Sequence, residues 1–384
     1  MIGLGRASLP WRFRTGRLSR LGLQVLAGSN GARRILVVGG AGYIGSVLCG
    51  RLLAEGYRVR VLDPLLYGDE SLRAFTHQPN FELLRGESRD VAAIVASMRD
   101  VDAVVHLGEI VGDPACALDE AATLEINHFG TRQVAQVAKG FGVSQFIYAS
   151  SCSVYGASDE VLTEDAPLNP ISLYARAKIA AERSLLELQT AAFRPVIFRF
   201  GTVYGLSRRP RFDLVVNVLA AGAASDGRIR IDGGDQWRPF VHVVDVARSI
   251  SIALRTPAEA IGGELFNVGS DAQNHTIGQI GEMVCQRVPT TSVRYSASSG
   301  DRRNYRVSFA KIRSRLGFEP KMTVSQGIAE IVSAVGSGLI QNYRDPRYSN
   351  LASLRLMTHD MSIRAVRPSG HEIVVPVAQE AIAS

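Results

Sequence analysis

The stretch ILVVGGAGYIGSVL, residues 35–48, limits the fold more than any other segment. Four apolar residues run without alternation, as in a parallel strand buried on both faces. Glycines follow at 39, 42 and 45, and an apolar-periodic stretch from about Tyr43 to Glu55 predicts a helix. A strand, a glycine-rich turn and a helix in that order form the first unit of a dinucleotide-binding sheet. Gly39 permits the tight turn, Gly42 lets a pyrophosphate approach the backbone, and Gly45 lets helix and strand pack closely. The helix N-terminus then faces the phosphates.

The rest of the chain repeats the pattern. Strands are predicted at Arg58–Leu62, Phe81–Leu84, Ala103–Leu107, Gln145–Ala149, Pro195–Phe200 and Leu265–Val268. Helical patterns fill the gaps, notably Leu124–Lys139 and Leu173–Thr190. This alternation predicts an α/β fold, a Rossmann-type doubly wound parallel sheet, with a smaller mixed α/β substrate lobe towards the C-terminus. We expect an N-terminal extension over 1–33 and a cofactor domain over 34–205, to which 241–270 returns. The substrate lobe would take 206–240 and 271–340, and 341–384 a polar tail ending in an apolar EIVVPV stretch.

Asp63 stands where a carboxylate would meet the ribose hydroxyls, about 20 residues past the glycines. It repels a 2′-phosphate, so NAD is expected rather than NADP.

Net charge is +7, but residues 1–34 hold seven arginines and no acid, leaving 36 residues of each sign in the body. A neutral body argues against nucleic-acid binding. The leader has the composition of a transit peptide, and also reads as a disordered extension or an early start codon. No apolar run reaches the length of a membrane span. The four cysteines, at 49, 116, 152 and 285, form no CxxC pair, so neither a metal site nor a disulfide framework is expected, and a reducing cytoplasm fits them.

YARAK places Tyr174 and Lys178 one helical turn apart on one face, in a chain with only four lysines. A tyrosine is too weakly acidic to serve as a base at neutral pH, unless an ammonium and a cationic nicotinamide favour its phenolate. SSCSVYG, residues 150–156, ends the preceding strand and supplies a hydroxyl for the substrate oxygen.

These segments together resemble the extended short-chain dehydrogenase/reductases of the NAD-dependent epimerase/dehydratase family, which act on nucleotide sugars. The resemblance runs from about Arg34 to Tyr348. It includes GGAGYIG, INHFGT, SSCSVYG, YARAK, WRPFVHVVDVA and DRRNYRVSFAKIRSRLGFEP. It implies Ser151 as catalytic hydroxyl, Tyr174 as base and Lys178 as its partner. On the cofactor it places Gly39, Gly42, Tyr43, Ile44, Gly45, Asp63, Glu87, Leu107, Gly108 and Asn127, with Tyr174 and Lys178. On the substrate it places Asn217, Arg238 and Arg303, the arginines clamping a diphosphate. A homodimer through the helices near 120–140 and 172–190 is also implied.

Departures from the family pattern bear on the reaction. A 4,6-dehydratase carries an Asp-Glu pair after the catalytic hydroxyl, where this chain has Cys152 and Ser153. Cys152 reads either as a thiol acid/base or as a small residue packing the pocket wall. Ser153 stands where epimerase-reductases of the GDP-fucose synthase type place a cysteine. HLGE replaces the common His-Leu-Ala-Ala, so Glu109 is either an extra acid/base or points away. VGDPAC, residues 111–116, is expected along the sugar pocket. His106 and His242 are expected to be structural. The expected function is a nucleotide-sugar epimerase using bound NAD, most simply at C4. A keto-sugar reductase or dehydrogenase of the same fold is the alternative, and a catalytically silent nucleotide-binding regulator is the rival of another class.

Overall fold

In the computed structural model, residues 32–296 and 303–357 are described. The leader and the EIVVPV stretch lie outside them. Seven strands form one parallel sheet: β1 (Arg34–Val38), β2 (Arg58–Asp63), β3 (Phe81–Arg85), β4 (Ala103–His106), β5 (Gln145–Ser151), β6 (Arg194–Phe200) and β7 (Leu265–Val268). Their order is β3-β2-β1-β4-β5-β6-β7. The order reverses between β1 and β4, so a crevice opens beyond the carboxyl ends of these two strands.

Why the strands read as unbroken apolar runs is visible in β1. Ile35 and Val37 belong to the core on one face, and Leu36 and Val38 to the core on the other. Successive side chains alternate faces and both faces are covered, so Ile35 to Val38 are apolar without a break. Helix α1 (Tyr43–Ala54) packs against helix α4 (Val243–Arg255), whose apolar residues share the core with Ile35 and Val37.

The predicted helix over 124–139 departs from regular geometry. A short helix at Glu120–Leu124 runs into a widened π-type turn at Glu125–Gly130, and helix α2 (Thr131–Gly140) follows. Such turns recur at functional sites. Here it turns Asn127 inward, where its amide accepts from Ile110 N at 2.9 Å and donates to Ile110 O at 2.8 Å. Helix α3 (Leu173–Glu187) is capped by Ser172, whose hydroxyl accepts from Ala175 N at 3.2 Å.

Beyond β6 the chain builds small sheets. Trp237–His242 pairs in parallel with Thr202–Tyr204 and antiparallel with Asn274–Thr276. Ser292–Ser296 pairs with Arg228–Asp232, and Asn304–Val307 with Ala157–Leu162. The start of the expected polar tail is instead docked: Phe212 stacks edge-on against Tyr343 and Tyr348, with ring centroids 6.0 and 5.6 Å apart. No helix among the described residues is long and apolar enough to cross a membrane.

Candidate active site

Two adjoining cavities fill the crevice. The first is walled by the glycine turn, Ser151, Ser153, Tyr174, Lys178 and Arg303, and the second by Asp63, Glu87, Leu107 and Gly108. Gly39, Gly42 and Glu109 border both.

The glycine turn is shaped for a bound group. Gly39 has φ +82° and lies so close to the segment after β4 that a Cβ would come within 2.6 Å of Gly108 Cα. A Cβ on Gly45 would meet Gly39 O at 2.3 Å. Helix α1 begins at Tyr43 with no side chain capping its first N–H groups, which leaves them for an anion. Both Asp63 oxygens already hold backbone, accepting from Ala41 N at 2.9 Å and Leu65 N at 2.8 Å. A carboxylate oxygen accepts more than one hydrogen bond, so ribose hydroxyls still find acceptors there. Gly42, Tyr43, Ile44 and Gly45 line the first cavity, and the Tyr43 hydroxyl donates to Gly205 O at 2.7 Å. These residues fit a dinucleotide. Gly45→Ala is expected to overpack backbone against backbone, at a cost of about 1–3 kcal/mol. The result would be a folded protein with weakened NAD binding, measured by fluorescence titration.

At the other end Tyr174 and Lys178 project from α3 towards the end of β5. Tyr174 and Ser151 border the same cavity. Burial, with the Glu109 charge next, pushes the Tyr174 hydroxyl above its ordinary range, and the Ser151 hydrogen bond pulls the other way. Lys178 donates to Ala149 O and lies 5.6 Å from the Tyr174 ring centre. A hydroxyl, a phenol and an ammonium in this arrangement can hold a carbinol oxygen and move its proton.

Glu109 does not point away. Its carboxylate pairs with Lys178 Nζ at 2.5 Å, with both side chains almost fully buried, and accepts from Tyr148 OH at 2.7 Å. His106 is structural, 2.9 Å from Thr131 Oγ1, and burial followed by the Lys178 charge lowers it to about 3. His242 accepts from Val244 N at 3.2 Å and meets Glu330 at 3.0 Å.

Several expectations need correction. Cys152 does not line the cavity. It is fully buried in the core of one sheet face, with its sulfur 3.2 Å from Arg199 O, and burial pushes its thiol well above the ordinary range. Adjacent residues in a 3-10 turn point differently, so Ser151 and Ser153 reach the cavity and Cys152 does not. Cys152→Ala is expected to leave turnover unchanged and to cost about 1 kcal/mol of stability, read by urea unfolding. Asn217 is buried away from the cavity, its amide committed to Gly205 N, Gly205 O and Arg211 O at 2.9, 3.1 and 2.8 Å. Arg238 is also outside the cavity wall. It donates to Trp237 O at 2.8 Å, to Arg303 O and to Gln236 at 3.2 Å. Asn127 braces the loop after β4 rather than facing either cavity. Arg303 does line the cavity, 3.3 Å from Asp113. Glu87 borders the second cavity, paired with Arg89 at 2.9 Å.

Sequence reasoning missed Arg209 and Asn350. Arg209 is buried in the cavity wall, 4.0 Å over the Tyr67 ring, and donates to Asn350 Oδ1 at 2.6 Å. Its Nε and Nη2 have no hydrogen-bond partner among the described residues.

A doubly wound sheet, a glycine turn, and Ser151, Tyr174 and Lys178 on one crevice make up a dinucleotide-type site. The model of the NAD dependent epimerase/dehydratase family matches residues 35–269. Over 319 residues the chain is 31% identical to UDP-glucose 4-epimerase of Mycolicibacterium smegmatis, covering 78% of this chain and 97% of the relative. The solved dTDP-glucose 4,6-dehydratase of Streptomyces venezuelae, with NAD and TYD bound, superposes with TM-score 0.73 at 26% identity, over 82% of this chain and 99% of that one. UDP-glucose 4-epimerase of Thermotoga maritima, with UDP-glucose, gives 0.72 at 26% identity, over 80% and 99%. The chain therefore belongs to the NAD-dependent epimerase/dehydratase family of nucleotide-sugar enzymes, and NAD is its cofactor.

Proposed function

We propose that this protein is a nucleotide-sugar epimerase that inverts C4 of a nucleoside-diphosphate sugar through a transient keto-sugar. One observation carries this over a 4,6-dehydratase. Ser151, Tyr174 and Lys178 share the cavity, while the two positions that hold a dehydratase's acid pair are a core-buried thiol and a serine. Glu109, a carboxylate that borders the same cavity, is committed to Lys178.

When bound, NAD supplies the hydride acceptor and donor. Ser151 holds the C4 oxygen, and Tyr174 takes its proton as the carbinol becomes a ketone. Lys178 keeps Tyr174 in register from the next helical turn. After the sugar turns within the cavity, Tyr174 returns the proton to the same oxygen, on a carbon of opposite configuration. Arg303 and the buried Arg209 suit the diphosphate or another anionic group of the substrate. Residues 206–240 and 271–340 carry the substrate side, with 34–205 and 241–270 carrying the cofactor. A cytoplasmic homodimer, paired through the helices near 120–140 and 172–190, completes the proposal.

The second reading, a keto-sugar reductase, is favoured by the Lys178–Glu109 pair, which disfavours a phenolate at Tyr174. A screen of UDP-, GDP-, CDP- and dTDP-sugars, with products resolved by NMR, tests both. An inverted sugar without net cofactor change supports epimerisation. Stoichiometric oxidation of added NADH supports the reductase, and loss of water from C6 overturns both.

A further inference from the structure

The catalytic lysine of this site does not face the tyrosine as a lone cation. Lys178 and Glu109 meet at 2.5 Å with side-chain exposures of 4% and 1%. The pair is built in on both sides. Glu109 Oε1 accepts from Tyr148 OH at 2.7 Å, with Thr131 Oγ1 at 3.3 Å, and Lys178 also donates to Ala149 O. The Tyr148 ring lies 4.8 Å from Lys178 Nζ, closing the pair from β5.

We propose that Glu109 is a positioning residue of the proton-transfer site, which neutralises Lys178 and so holds Tyr174 as the protonated phenol in the resting protein. The inference rests on the reading of Tyr174 and Lys178 as the proton-transfer pair.

A lysine alone offsets a phenolate formed one turn away. Here Lys178 and Glu109 sum to zero, so ionising Tyr174 would leave an uncompensated negative charge in a buried site. The other groups facing Tyr174 do not repair this. Asp113 and Cys116, from the segment after β4, oppose its ionisation, and Asp113 is itself paired with Arg303. Tyr148 from β5 is a buried neutral phenol, and His106 from β4 is held neutral by burial. The Ser151 hydrogen bond favours the phenolate. Arg209 and Arg211 border the same cavity from the loop after Tyr204, and Arg211 is paired with Asp213 at 2.9 Å. A resting phenol is set to give a proton to a carbonyl oxygen. It takes one from a carbinol only after a further positive charge enters the site. The first oxidation then becomes the step most sensitive to rising pH.

Tyrosine ring-carbon NMR tests this without substrate. The Tyr174 signal is assigned by its loss in Tyr174→Phe and titrated in the full chain, with and without NAD. Wild-type protein is expected to keep Tyr174 protonated up to its alkaline unfolding. Glu109→Gln keeps the hydrogen-bonding shape and removes the charge. It is expected to lower the Tyr174 midpoint by about one pH unit or more, bringing it into the folded range. A midpoint in Glu109→Gln that is unmoved or raised overturns the proposal. Should that variant not fold, Glu109→Asp draws the charge back by one methylene. A smaller downward shift then supports the proposal, and no shift overturns it. A brace with no electrostatic role would not lower this midpoint. Turnover by Tyr174→Phe would overturn the reading of Tyr174 as the base, whereas an unmoved midpoint overturns only the role of Glu109.

Discussion

Tyr174→Phe is expected to bind NAD as the wild type does and to lose turnover by about 10²–10⁴-fold. The substitution removes one oxygen from a side chain that is 9% exposed and packed on α3, so the fold has little reason to respond. What it removes is the phenol oxygen that borders the cavity with Ser151. Tyr148 does not substitute for it, because its hydroxyl donates into Glu109 and is fully buried. Product NMR with a turned-over nucleotide sugar, beside a fluorescence titration of NAD, separates the two effects. Turnover near the wild-type level would remove Tyr174 from the proton path and, with it, the epimerase proposal.

The parts of this site that were legible in the sequence are those whose geometry is local. A strand, a turn and a helix over residues 34–54 fix the cradle within one stretch of chain, so the glycine spacing already specifies its shape. Tyr174 and Lys178 lie on one helix, and the helical repeat alone puts them on one face. Ser151 and Cys152 were harder, because a 3-10 turn at the end of β5 sends the hydroxyl to the cavity and the thiol into the core. Glu109 could be flagged by its unusual place but not assigned, since its partner is 69 positions away on α3. Arg209 and Asn350 were invisible for the same reason. They meet across 141 positions, from a loop and a segment that reads as a tail. Arg238 and Asn217 failed in the opposite way. Their motifs are local, but neighbouring backbone takes up the hydrogen bonds that a ligand would need.

Beneath the SSCSVYG segment lies the interaction whose loss is expected to be largest for stability. Arg199 on β6 is 3% exposed and grips Glu182 on α3 with two parallel bonds, Nε to Oε1 at 3.0 Å and Nη2 to Oε2 at 2.7 Å. Its remaining nitrogen donates to the Tyr155 hydroxyl at 3.0 Å, which in turn donates to Asn267 at 2.7 Å, and Ser150 donates to Glu182. One guanidinium thus ties both flanks of Ser151 to the sheet and to the helix that carries Tyr174 and Lys178. Arg199→Met leaves Glu182 as an uncompensated buried charge and removes the donor to the Tyr155 hydroxyl oxygen. Breaking such a pair costs about 3–5 kcal/mol, whereas replacing both partners with apolar side chains of similar volume is often close to neutral. The urea midpoint of Arg199→Met is therefore expected to fall steeply at unchanged slope. Glu182→Leu combined with Arg199→Met should recover most of the loss. Recovery would assign the cost to the unpaired charge rather than to lost packing. A double variant no more stable than Arg199→Met would instead place the energy in the hydrogen bonds to Ser150 and Tyr155. Turnover separates the two roles of the network, because a stable double variant that positions Ser151 poorly would fold and still be slow.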